Sequence, residues 1–209
     1  MFAVPPAPSA IPEAILMPMR FDAVALRKDL EGFLAGEFVP HFNVHQYAGD
    51  WSAIPLRSVG GSVDQIFPDP EQSQAFADTP WMERCPGVRA VLEAFPCPLL
   101  AVRFLRLKAG SIIKEHRDYE LGFDDGEVRL HVPVMTNPEV EFVLNGNRIV
   151  MQEGECWYVN VNFPHKVANR GETDRVHLVI DCAVDEWLRA LMLREAGAIS
   201  GNPPVHNGG

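Results

Sequence analysis

The sequence predicts a mainly β fold, a double-stranded β-helix or jelly roll with α-helices flanking it at the N- and C-terminal ends. Two observations carry this. Between Leu99 and Cys182 the chain breaks into β-branched and aromatic runs of about 4–9 residues separated by regular turn signals, which fits a barrel or double-sheet jelly roll. On both sides of that region apolar residues recur at helical rather than alternating spacing.

Residues 1–19 are rich in Pro and Ala and read as an extended, flexible arm. Asp22 is placed as an N-cap, and Val24, Leu26, Leu30, Phe33 and Leu34 follow at helical spacing, so a helix is expected over 23–35. The segment 36–80 contains Pro40, Pro55, Pro68, Pro70 and Pro80 and is expected to hold one or two short strands within long loops. Pro86, followed by Val88, Val91, Leu92 and Phe95, opens a second helix that Pro96 and Pro98 stop. Strands are then expected over 99–108, 111–116, 127–135, 140–144, 148–151, 155–161, 166–169 and 175–182. An Asn145-Gly146 step between two of them marks a hairpin. The run DEWLRALMLR over 185–194 is a closing amphipathic helix. One domain over 20–196 is expected, followed by a loose tail over 197–209.

Composition narrows the function classes. A hydrophobic share of 47% in 209 residues is enough for a sizeable core. Eighteen Lys+Arg against 28 Asp+Glu give a net charge of −10, the wrong sign for a non-specific nucleic-acid binder. No apolar run approaches the ~18 residues of a membrane-spanning helix. The N-terminus lacks the basic region of a signal peptide, so a cytoplasmic protein is expected. Cys85, Cys97, Cys156 and Cys182 show no CxxC pairing; free thiols are expected, with a Cys85–Cys97 bridge left open.

The chemistry concentrates between His116 and Asp181. His116 and Asp118 are two residues apart, so on extended backbone both side chains leave the same face. His165 follows 47 residues after Asp118, enough chain for intervening strands to return it beside them. Two imidazoles and one carboxylate are the donor set of mononuclear non-haem iron(II) with open coordination positions, whereas zinc favours three histidines or thiolates. A lone His-x-Asp is weak evidence, since most histidines occupy partly buried polar positions. Arg175, on an apolar strand ten residues after His165, is placed to hold a carboxylate with its guanidinium fork; a surface pair with Glu172 or Asp174 is the plainer alternative. Arg129 and His131 share one face of their strand and are placed to orient a metal-bound carboxylate, although Arg129 has Asp124 and Asp125 just before it. His177 shares the inward face with Arg175 and reads as a pocket-lining or satisfied core histidine.

Taken in order, Gly49-Asp50-Trp51, Leu92-Glu93-Ala94-Phe95-Pro96, Ala109-Gly110-Ser111, His116, Arg129-Leu130-His131, Phe163-Pro164-His165 and Arg175 with its strand to Asp181 resemble the aspartyl/asparaginyl β-hydroxylase family of 2-oxoglutarate oxygenases, which includes bacterial free-proline hydroxylases. The resemblance spans about Gly49 to Cys182. It implies that His116, Asp118 and His165 bind Fe(II), that Arg175 holds the distal carboxylate of 2-oxoglutarate, and that Arg129 and His131 approach the metal-chelating carboxylate, with Trp51 lining the pocket. Locally, Trp51 is explained equally well as a core or rim residue. The implied reaction consumes 2-oxoglutarate and O2, hydroxylates an unactivated C–H bond of a free or peptidyl amino acid, and releases succinate and CO2. Leu105 stands where the family has a small polar co-substrate contact, a gap that Arg103 or Arg106 is placed to fill. Arg103, Arg106, Arg117, Arg129 and Arg175 make the expected mouth cationic, and the loops over 36–80 and 119–126 are expected to select the substrate. A cupin-like metal-binding or sensor protein without turnover, or a same-barrel enzyme of another metal, remains the alternative.

Overall fold

The computed structural model describes residues 11–33, 35–66 and 75–201. Its strands, in chain order, are β1 (Ala14–Arg20), β2 (Val39–Pro40), β3 (Tyr47–Ala48), β4 (Trp51–Val59), β5 (Phe76–Asp78), β6 (Leu99–Leu107) and β7 (Ile112–His116). They continue with β8 (Glu127–Met135), β9 (Val140–Leu144), β10 (Asn147–Ile149), β11 (Glu155–Val159), β12 (His165–Asn169) and β13 (Arg175–Ala183). The α-helices are α1 (Ala23–Glu31), α2 (Pro86–Leu92) and α3 (Glu186–Gly201).

Two antiparallel sheets result. The larger runs β1-β11-β8-β13-β6-β4-β2, with β5 added to β4; the smaller runs β10-β9-β12-β7-β3. This is the expected jelly roll. Period-2 alternation along the central strands separates two environments. Val128, Leu130, Val132 and Val134 of β8, Val102 and Phe104 of β6, and Val176, Leu178, Ile180 and Cys182 of β13 join the cluster that also holds Leu26, Val88, Leu188 and Met192 from the helices. The intervening Leu105, Leu107 and Val179 face Phe142, Leu144 and Val167 of the smaller sheet. Arg103, Arg129, His131, Arg175, His177 and Asp181 have the same parity as this inner set.

Local chemistry explains the boundaries. Asp22 Oδ1 accepts from the backbone N–H groups of Val24 and Ala25 at 2.9 and 3.1 Å, capping α1 as expected. Asn145 (φ 46°) and Gly146 (φ 81°) are both left-handed, which a tight turn between β9 and β10 requires.

Several expectations need correction. The flexible arm expected over 1–19 is corrected at its end: Ala14–Arg20 is a strand that pairs antiparallel with β11, its register irregular between Leu16 and Arg20, where Pro18 falls. Residues 1–10 lie outside the described residues. Trp51–Val59 is a full nine-residue strand, not a short piece in a loop, and Pro55 is accommodated at a register shift against β6 between Pro55 and Arg57. Within 36–80, residues 67–74 are outside the described set. α3 runs through Gly201, so the tail is helical at its start, and residues 202–209 lie outside the described set. All four cysteines are buried free thiols, and no Cys85–Cys97 bridge exists. No helix among the described residues is long and apolar enough to cross a membrane.

Candidate active site

β12 and β7 pair antiparallel with His165 directly opposite His116, so strand register sets the two rings 4.2 Å apart, centroid to centroid. Beyond the end of β7, the Asp118 N–H donates to the carbonyl of Val161 at 2.9 Å, folding the carboxylate back toward them. One ligand atom from each of His116, Asp118 and His165 lies within 4.8 Å of the others. Each imidazole is oriented by its own backbone: Nδ1 of His116 lies 2.8 Å from the Lys114 carbonyl, and Nδ1 of His165 lies 3.0 Å from that of Phe163. A carbonyl only accepts, so Nδ1 carries the proton in both rings and Nε2 presents a lone pair to the shared point. Burial, then the neighbouring His116, pushes His165 down to about 4, so the ring is neutral and ready to ligate at neutral pH.

The carboxylate is equally constrained. Arg129 Nη1 donates to Asp118 Oδ2 at 2.6 Å, while its Nε and Nη2 grip both oxygens of Asp181 at 2.8 and 3.0 Å. Arg103 Nη1 donates to Asp181 Oδ2 at 3.0 Å. Burial alone would raise the Asp118 carboxyl, but Arg129 and the two histidines bring it below its ordinary value. The Asp118 oxygen not held by Arg129 is 3.7 Å from His116 Nε2.

Behind the triad, Arg175 is 2% exposed. Its Nη2 lies 2.8 Å from Nδ1 of His177, and its Nε is buried without a partner. Nδ1 of His131 lies 3.4 Å from Nδ1 of His177, and its Nε2 is also buried without a partner. The Trp51 indole stacks on His41 at 3.4 Å and 9°, sits 6.0 Å from the His116 ring, and leaves its Nε1 unpartnered. All these side chains except His177 line one cavity of about 1030 Å³.

Every predicted site residue therefore reaches the same cavity, although not always in its expected posture. Arg129 pairs with neither Asp124 nor Asp125, and all three of its guanidinium nitrogens are taken by Asp118 and Asp181. It is thus a partner of Asp118 and Asp181, with three of its five N–H donors engaged by them. Arg175 makes no ion pair with Glu172 or Asp174; Asp174 instead accepts from the Ala109 N–H. Leu105 keeps its place on the inner face, and Arg106 lies over the Phe38 ring at 3.6 Å, so it does not compensate there. From the sequence, Asp181 is read only as the end of its strand and His41 is given no role. For Asp181 the signal was present, since it shares parity with Arg175 and His177; for His41, within a proline-broken loop, there was none.

The donor set fits iron(II): two imidazole nitrogens and one carboxylate oxygen would hold the ion and would leave coordination positions for co-substrate and oxygen. The buried Arg175, with no acidic partner among the described residues, fits an anionic co-substrate. Fold and donor set together define a jelly-roll protein with a candidate metal site between its sheets. A family model described as Aspartyl/Asparaginyl beta-hydroxylase matches residues 21–184, and the chain belongs to that family. The L-proline cis-4-hydroxylase of Rhizobium meliloti (strain 1021) is 28% identical over 165 residues, covering 78% of this chain. The chain spans 58% of that relative's length. An oxidoreductase of the 2OG-Fe(II) oxygenase family from Burkholderia pseudomallei superposes with a TM-score of 0.53 at 15% identity, over 82% of this chain and 85% of that one, a likeness of fold alone.

Proposed function

We propose that this protein is an Fe(II)- and 2-oxoglutarate-dependent dioxygenase that hydroxylates an unactivated C–H bond of a small free amino acid, L-proline or a close analogue. The observation that carries the reading is one cavity holding both the His116–Asp118–His165 cluster and a buried arginine, Arg175, with no acidic partner among the described residues. Iron(II), 2-oxoglutarate and O2 supply the oxidising power, with succinate and CO2 as products.

The chain's own residues bind, orient and exclude. His116, Asp118 and His165 hold the metal, and Arg129 fixes Asp118 so that its other oxygen points to it. Arg175 takes the distal carboxylate of 2-oxoglutarate, and His131 stands beside it. Trp51 and His41 form an aromatic wall that narrows the space beside the metal and keeps water from it. Arg57, Arg103 and Arg117 also line the cavity; Arg57 and Arg103 are paired with Asp78 and Asp181, so Arg117 joins Arg175 as a lining cation that no carboxylate holds among the described residues, which suits a substrate bearing a carboxylate. The name of the Rhizobium relative supports proline as the first substrate to try. Four reduced, buried thiols agree with a cytoplasmic setting.

A cupin-like sensor without turnover is the second reading, and the burial of Arg175 argues against it, because such a protein has no need of an anion site at that depth. The test is succinate formation from 2-oxoglutarate by anaerobically iron-loaded protein after oxygen is admitted, with proline and a panel of amino acids. Stoichiometric succinate and hydroxylated product are expected. No succinate with any substrate, together with no 2-oxoglutarate binding, would leave the sensor reading.

A further inference from the structure

Of the buried arginines on the inner face, Arg175 is the exception. Arg103 and Arg129 are matched to Asp181 and Asp118. Arg175 has no carboxylate partner among the described residues; its hydrogen bond runs from Nη2 to Nδ1 of His177 at 2.8 Å. A guanidinium only donates, so the accepting atom is the Nδ1 lone pair, and the ring proton of a neutral His177 sits on Nε2. His177 and Arg175 both line a second cavity of about 570 Å³, whose wall mixes polar residues such as Asn137 and Gln152 with apolar ones such as Val140 and Met151. His131 Nδ1 stands 3.4 Å from the same His177 Nδ1 and braces the ring from the metal side. Burial without a counter-charge brings the Arg175 guanidinium down to about 9, which still leaves it charged at neutral pH.

We infer that His177 is a positioning residue for the co-substrate: it aims Arg175 through one accepted hydrogen bond while leaving the guanidinium charge uncompensated for an incoming carboxylate. This rests on the 2-oxoglutarate reading of Arg175 given above. An aspartate at this position would orient the guanidinium as firmly but would neutralise it, and a dianionic ligand would then meet a closed ion pair. A leucine would leave the charge but lose the aim.

The experiment compares 2-oxoglutarate binding, by calorimetry on anaerobic iron-loaded protein, for wild type, Arg175→Ala, His177→Asn, His177→Asp and His177→Leu, alongside kcat and KM. An Asn amide oxygen reaches the place of Nδ1, so His177→Asn is expected to bind within about 5-fold of wild type. His177→Asp is expected to bind about 30-fold or more weakly and His177→Leu about 10-fold, with KM for 2-oxoglutarate affected more than kcat. Equal binding by the Asn and Asp variants would overturn the inference while leaving the role of Arg175 standing, provided Arg175→Ala is weakened. If wild type and Arg175→Ala bind equally poorly, the reading of Arg175 itself is wrong. Independently of how the variants fold, ¹⁵N NMR of histidine-labelled wild type is expected to show His177 protonated at Nε2 and bare at Nδ1; a proton on Nδ1 overturns the inference.

Discussion

His116 and His165 each spend Nδ1 on a carbonyl two residues back, so both rings present Nε2 to the candidate metal point in the tautomer that ligation would need. Removing one should therefore remove function without remaking the other. His165→Ala is expected to abolish iron-dependent turnover and lower metal content, measured as succinate and by metal analysis; near-normal turnover would refute its ligand role. Arg129 tests a different link. It is the shared cation of Asp118 and Asp181, both of which it contacts within 3.0 Å. Arg129→Met strands Asp118 and leaves Asp181 to Arg103 alone, so a loss of roughly 3–5 kcal/mol in stability is expected from the broken buried pair. An accompanying fall of about 10–100-fold in iron affinity is expected from the lost orientation of Asp118. Chemical denaturation and metal titration read the two effects separately. If metal affinity is unchanged in a folded variant, Arg129 serves the fold alone.

The central strands β6, β13 and β8 are tied across their inner face by Arg103, Asp181 and Arg129. Burial opposes the Asp181 charge, but the two guanidiniums outweigh it and hold the carboxyl well below the usual range. A depressed folded value means this stabilisation is complete above the ordinary aspartate range near ~3.9 and is lost as the pH falls below it. Wild type should thus lose stability below about pH 4 more steeply than Asp181→Asn, measured by denaturant midpoints across pH; parallel slopes would count against the network. The strand alternation itself was legible because β8 and β13 bury both faces against different partners, apolar residues toward the helices and polar ones toward the cavity. What each inner arginine would pair with was not legible. Asp118 and Asp181 reach Arg129 from 11 and 52 residues away, and nearby Asp124 and Asp125 looked equally able. β1 and β4 were obscured by Pro18 and Pro55, each absorbed at a register irregularity that propensity does not show. Gly154 offers an element-scale check. Its φ is +78°, and a Cβ there would run into the Phe21 carbonyl, where the Phe21 N–H donates to the Gly154 carbonyl at 2.8 Å. Gly154→Ala is expected to cost about 1–3 kcal/mol, visible as a lower thermal midpoint.

At the scale of the whole molecule, the jelly roll carries a site whose charges are incompletely matched until ligands arrive. Asp118 already has Arg129 as its counter-charge, so the triad offers a cation donor atoms rather than an unmatched charge, whereas Arg175 has no carboxylate partner among the described residues in its buried niche. Groups that bind only the folded chain stabilise it by mass action, about 2.7 kcal/mol at a hundred times Kd. For a chain of this size, that raises the thermal midpoint by roughly 5–10 °C. The two contributions should be ordered as well as additive. Metal alone is expected to give part of the shift, and 2-oxoglutarate to add the rest only when metal is present, since its keto-acid end has no other anchor. Arg175→Ala should keep the metal increment and lose most of the co-substrate increment, whereas His165→Ala should lose both. Anaerobic thermal melts with and without a chelator read all of these, and a full co-substrate shift without metal would place 2-oxoglutarate somewhere other than beside the triad.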